Sequence, residues 1–135
     1  MYKKLDREDI FAERLTLFLM HFSFFLKNFK SDQNKKILQQ IYDFNFRQIE
    51  LSIREIGYGD QSINKKMKDY INLFHKIIID IHFWDKLENN EKLNKFSELL
   101  FNFNKLDKLV VYFDNFNKDL SKKTLNSYIK SVINS

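Results

Sequence analysis

The sequence predicts an all-α protein, a compact bundle of five to six helices in a single domain. Three observations carry this. The chain of 135 residues holds no Pro and only two Gly, so it lacks the punctuation that the many turns of a sandwich or barrel require. Hydrophobic residues make up 44% and aromatics 16%, with 15 Phe, enough apolar mass for a real core and too much for a disordered chain. The apolar residues recur at helical spacing along most of the length.

The first helix is expected from about Glu8 to Lys30. Phe11, Leu15, Phe18, Phe22, Phe25 and Phe29 step by four and three and form one apolar stripe. Leu17, Leu19, Met20 and Phe24 widen it until the middle is apolar nearly all round, with Thr16, His21 and Ser23 as the only polar breaks between Leu15 and Leu26. That run is well short of the ~20 residues a membrane-spanning helix needs. It therefore reads as the central, buried helix of the bundle, the alternative being that part of it meets an apolar partner or a membrane surface.

The second helix is expected after Ser31-Asp32, both good caps, and to run to Ile56. It carries Ile37, Ile41, Phe44 and Leu51 on one row and Leu38, Ile49, Ile53 and Ile56 on an adjoining one. Gly57 suits its end. The turn Gly57-Tyr58-Gly59-Asp60 contains both glycines, so the backbone should need most freedom there. A third helix begins at Asp60 or Ser62, with Ile63, Met67, Tyr70, Phe74, Ile77, Ile81 and Trp84 as a continuous stripe and Lys65, Lys66, Lys68, Asp69 and Lys76 outside it. Leu87–Asn90 reads as a connection. A fourth helix covers about Glu91 to Phe103, with Leu93, Phe96, Leu100 and Phe103 inward. Leu109-Val110-Val111-Tyr112-Phe113 is β-prone, but no second strand candidate exists to pair with it, so Leu106–Phe116 is assigned to helix. A last helix follows Ser121 with Leu125, Tyr128, Ile129 and Val132 inward.

Few chemistries survive inspection. The absence of Cys excludes disulfides and thiolate metal sites. The glycines follow a helix and not a strand, so they form no phosphate loop. No Ser sits in a nucleophile elbow. His75 and His82 are two helical turns apart, about 10.5 Å, too far for one metal ion, and His21 lies in the apolar run, where a hydrogen-bonded core histidine is the ordinary outcome. Glu50 and Arg54 are spaced for an ion pair; no carboxylates pair for acid–base work. The expectation is a non-enzyme without cofactor or metal. The acidic start Met1-Tyr2-Lys3-Lys4-Leu5-Asp6-Arg7-Glu8 does not fit a signal peptide. The net charge of +5 favours anionic surfaces such as RNA or acidic lipid.

Two constellations remain. Asp9, Arg14 and His21 mark the first helix, Arg14 and His21 sharing a face. The second is Arg54-Glu55-Ile56-Gly57-Tyr58-Gly59-Asp60 followed by Lys65-Lys66-Met67-Lys68. A C-cap, tight turn and N-cap explain the glycines and Asp60, but not cations crowding the start of a helix, where the dipole disfavours them. An anionic partner there would account for them.

Together these residues resemble the ubiquinol–cytochrome c chaperone family. That family shows an Asp, an Arg five on and a His seven further, matched by Asp9, Arg14 and His21. It then shows Arg-Glu-hydrophobic-Gly-x-Gly-Asp, a spacer, a basic pair and Met, matched by Arg54 to Asp60, Lys65, Lys66 and Met67, with Phe74 continuing the helix. The resemblance covers about Tyr2 to Ile81. It departs at Glu13, where the family has Gly, and lacks the Pro before the leading Asp. It implies that residues 1–135 form the family's domain without its usual N-terminal segment, of which Tyr2 would be a remnant.

The implied role is an assembly factor that holds newly made cytochrome b during assembly of respiratory complex III. A small helical partner subunit and contact with the ribosome or an anionic membrane are further implied partners, and DNA is not one. The implied place is peripheral at the inner membrane, cytoplasmic in a bacterium or on the matrix side in a mitochondrion. The expected partner-binding residues are Arg14, His21, Gly57, Tyr58, Gly59, Asp60, Lys65, Lys66 and Met67. A small basic RNA- or ribosome-binding module is the rival reading.

Overall fold

Six helices wrap one apolar core in the computed structural model, which describes residues 4–100 and 104–133, with side chains from Ile10 onward. They are α1 (Lys4–Phe29), α2 (Lys35–Ile56), α3 (Asp60–Ile81), α4 (Asn89–Leu99), α5 (Leu106–Ser121) and α6 (Leu125–Ile133), with a 3-10 turn at Trp84–Lys86. No strand occurs among the described residues, and the β-prone run of Leu109–Phe113 is helical within α5. A lone extended segment would leave its backbone groups unpaired, whereas the helix satisfies them locally.

The central place of α1 follows from its composition. Leu15, Leu19, Met20, Phe22, Phe24, Phe25 and Phe29 are buried on several sides of the helix at once. Its polar breaks are satisfied inside the helix. Thr16 Oγ1 donates to the Ala12 carbonyl at 2.8 Å, Ser23 Oγ to Leu19 at 2.7 Å, and Asn28 Nδ2 to Phe24 at 2.9 Å. Bonding four residues back lets short polar side chains stay in an apolar environment without an orphaned group.

The neighbours of α1 are set by aromatic contacts. Phe22 stacks on Phe74 of α3 at 5.1 Å, and Phe24 stacks on Phe113 of α5 at 5.2 Å while meeting Trp84 edge-on. Against α5, His21 pairs with Tyr112, Phe24 with Phe113 and Asn28 with Asn117, so the two helices run in the same direction. Tyr128 of α6 covers Phe25 and Phe29 at the far end.

Several local expectations are corrected. Ser31 does not cap α2: its hydroxyl accepts the Asn34 N–H at 3.2 Å inside a turn, and Asn34 Nδ2 reaches back to the Phe29 carbonyl at 2.8 Å, closing α1. Asp60 lies in the first turn of α3 with Gly59 at the cap, its carboxylate drawn to Arg54 at 3.2 Å. The α3 stripe stops at Ile81, and Trp84 is buried from the 3-10 turn because its indole N–H donates to Asp114 at 2.8 Å. On α2 only the row of Leu38, Ile49 and Ile53 is buried, joined by Phe46, whereas Ile37, Phe44 and Leu51 are exposed. Phe18 and Val132, expected inward, are also exposed. Phe103 and the side chain of Asp9 lie outside the described residues.

A polar network ties the bundle around Asp85. Lys27 of α1 donates to its carboxylate at 2.9 Å and Asn117 of α5 at 2.7 Å. The Lys27 hydrogen bond, with help from Asn117 and Lys92, holds the Asp85 carboxyl below its ordinary pKa against a partly opposing desolvation. A carboxyl with a depressed folded pKa stabilises the fold above the unfolded pKa, near pH 4, and that contribution is lost as pH falls through the folded value. Asp85→Asn should therefore lower the urea midpoint at pH 7, with the difference from the parent shrinking as pH falls below about 4. A constant difference from pH 7 down to 3 would contradict this.

Candidate functional site

The residues singled out by the sequence fall into two groups that are built differently. The first is the turn between α2 and α3. Gly57 has φ +103°, the left-handed conformation, and its N–H donates to the Arg54 carbonyl at 3.0 Å. Gly59 has φ −71° and ψ 162°, extended backbone open to any residue, so only one of the two glycines is required by the turn. A Cβ at either position would meet no atom within 4 Å. Gly57→Ala should thus cost about 1 kcal/mol through backbone strain alone. Gly59→Ala should change stability by less than about 0.5 kcal/mol. Paired urea denaturation checks both; equal losses would contradict the assignment.

Around this turn Arg54 bridges Glu50 at 3.5 Å and Asp60 at 3.2 Å. The Lys66 ammonium lies 5.4 Å from the Tyr58 ring centre, a cation–π contact that fixes it beside the turn. Lys65 and Lys68 are exposed, with Lys66 and Met67 half-buried between them. No ion pair among the described residues involves Lys65, Lys66 or Lys68. These ammonium groups lie in the second and third turns of α3, where their mutual repulsion favours an anionic neighbour.

His21 is in a different setting. Its Nδ1 meets the Leu17 carbonyl at 2.8 Å, and a carbonyl can only accept, so Nδ1 carries the hydrogen. In the neutral ring Nε2 then accepts from the Tyr112 hydroxyl at 2.7 Å. The ring also packs on Phe113 at 4.8 Å and Phe116 at 5.1 Å. His21 therefore joins α1 to α5 and borders a feature that the sequence did not disclose.

That feature is an open apolar groove of about 690 Å³ along α1. Phe18, Phe22 and Phe25 of α1 form its floor. Ile41 and Asn45 of α2 form one wall, Tyr112 and Phe116 of α5 the other. Tyr128, Ile129, Val132 and Ile133 of α6 also line it. Phe18 is 40% exposed although it sits on the most buried helix of the bundle. Arg14 is exposed one turn before Phe18 on the same face. A smaller hollow continues between α1 and α2, where Phe11, Leu15 and Phe18 face Gln48 and Ser52. An open apolar trough of this kind on a small bundle marks a binding surface.

His75 and His82 are exposed on α3 and just beyond it. No group of three His, Cys, Asp or Glu among the described residues could hold a metal ion. No helix of the described residues is long and apolar enough to cross a membrane.

A family model described as Ubiquinol-cytochrome C chaperone matches residues 3–112, ending in the middle of α5. The match takes in Arg14, His21, the Gly57 turn, the Lys65–Lys68 segment and Tyr112, and leaves out α6. Among curated proteins and solved structures, none matches the chain.

Proposed function

The chain belongs to the ubiquinol-cytochrome C chaperone family, and from that premise we propose that it is a non-catalytic assembly factor that holds newly made cytochrome b while complex III is built. The observation that carries this reading is the groove over Phe18. A client of many apolar helices needs temporary cover for surfaces that later pack against other subunits, and a trough between helices can take such a helix face. Arg14 and His21 border that trough. The turn of Gly57, Tyr58, Gly59 and Asp60, with Lys65, Lys66 and Met67, is a second contact, suited to anionic lipid headgroups or a partner subunit beside the site of client synthesis. Peripheral action at the inner membrane agrees with the lack of a spanning helix among the described residues.

Lys65→Glu with Lys66→Glu should leave the helical content and urea midpoint within about 0.5 kcal/mol of the parent, since both residues lie outside the core. In cells the same variant should lower assembled complex III and cytochrome b severalfold. Normal levels would remove the turn from the proposed site. The lysines of this turn also favour a rival, attachment to ribosomal RNA. That rival requires RNA binding that weakens steeply with salt and ignores client peptides.

A further inference from the structure

The groove is mostly apolar, but basic side chains flank it on α1 and α5. His21 and Tyr112 touch at 2.7 Å, and α1 and α5 run in the same direction from there. Stepping back along both helices therefore leads to the same end. On α1 this step reaches Phe18 and then Arg14, two turns before His21. On α5 it reaches Lys108, one turn before Tyr112, and then Lys105 at the start of the helix. Arg14, Lys105 and Lys108 are all exposed, and no ion pair among the described residues includes any of them. The N-terminal dipole of α5 adds positive potential at the same place, offset in part by Asp107 in its first turn.

Part of the groove is already occupied by a helix. Tyr128 of α6 seats its ring on Phe25 at 5.5 Å and on Phe29 at 5.8 Å. Helix α6 thus fills part of the trough, and Phe18 stays exposed in the remainder. The rest is mostly apolar, and Arg14, Lys105 and Lys108 stand exposed on the helices flanking it beyond Phe18 and Tyr112.

We propose that the open part of the groove receives a helix of another protein that is apolar on one face and acidic at one end, the acidic end lying over Arg14 and Lys108. This rests on the chaperone reading above and adds the chemistry of the client segment. The apolar face supplies affinity through Phe18, Ile41 and Tyr112. The charged end sets the direction in which the helix lies and rejects segments flanked by lysine, which are the commoner flanks on the cytoplasmic side of membrane helices.

The test uses two synthetic Ala-rich peptides of about 22 residues, long enough to hold helical structure. They share one Leu/Phe face and differ only in ending on three Glu or three Lys. Fluorescence anisotropy with the full chain should show the Glu-ended peptide binding about three- to tenfold tighter at low salt. Arg14→Glu with Lys108→Glu should reverse the preference, and Arg14→Gln with Lys108→Gln should abolish it. Equal binding of both peptides, binding of neither, or a preference untouched by charge reversal would overturn the proposal. So would loss of binding to vesicles rich in phosphatidylserine in the reversed variant with peptide discrimination retained, since Arg14 and Lys108 would then form a lipid contact. Normal cytochrome b in cells lacking the protein, with peptide discrimination intact, would remove the client assignment and leave the groove chemistry supported.

Discussion

Replacing Phe24 by alanine is expected to cost about 3–5 kcal/mol of folding stability, the usual range for a fully buried Phe. Phe24 has no exposure and sits where three elements meet. Its ring stacks on Phe113 of α5 and meets Trp84 of the 3-10 turn edge-on, while Trp84 and Phe113 both contact Phe96 of α4. Truncation at Cβ removes the shared partner and leaves a cavity that rigid rings cannot collapse to fill. A domain of this size has only about 5–15 kcal/mol to lose, so the variant should approach the unfolding limit. Urea denaturation reads the change directly, and a loss under about 1.5 kcal/mol would mean that the cluster is not the centre of the core. Phe18, six residues earlier on α1, should behave in the opposite way, because its ring faces the open groove.

How much of this the sequence discloses depends on how local the cause is. The six helices were legible because spacing at three and four residues records which side of each helix is wet, and α5 was assigned against its β-prone composition because no second strand could pair with it. The boundaries failed where a side chain had two uses. Asp60 could cap α3 or pair with Arg54, and the ion pair prevailed. Ser31 served a turn instead of a helix start. The inner face of α2 was not legible, since two apolar rows adjoin and only the positions of α3 and α1 decide between them. Ile37, Phe44 and Leu51 lost that choice and remain exposed. Phe18 belonged to a regular stripe, and nothing local distinguishes it from Leu15 or Phe22. It is exposed because α2, α5 and α6 leave a gap there, which depends on contacts across the whole chain.

The candidate site divides along the same line. The Gly57 turn and its lysines were visible as a motif of contiguous residues, and the φ of Gly57 bears out the need for a glycine there, although Gly59 has no such need. His21 was visible as a polar residue in an apolar run, with a hydrogen-bonded core histidine expected. It is hydrogen-bonded, but its partner Tyr112 lies 91 residues away and no spacing rule could find it. The groove is therefore a tertiary property. The one sequence signal that pointed to it was the all-round apolar middle of α1, more apolar than a helix needs if every side met only its own bundle.

The account stands on that groove holding a client, and capture of cytochrome b from cells tests it most directly. Phe18→Glu places a carboxylate in the trough while leaving the buried contacts of α1 in place, and should cost less than about 1.5 kcal/mol of stability. The parent chain should co-purify newly made cytochrome b from a strain lacking the endogenous protein, and the Phe18→Glu chain should lose most of it at equal abundance and with an unchanged helical spectrum. Undiminished capture by a folded Phe18→Glu chain would contradict the account.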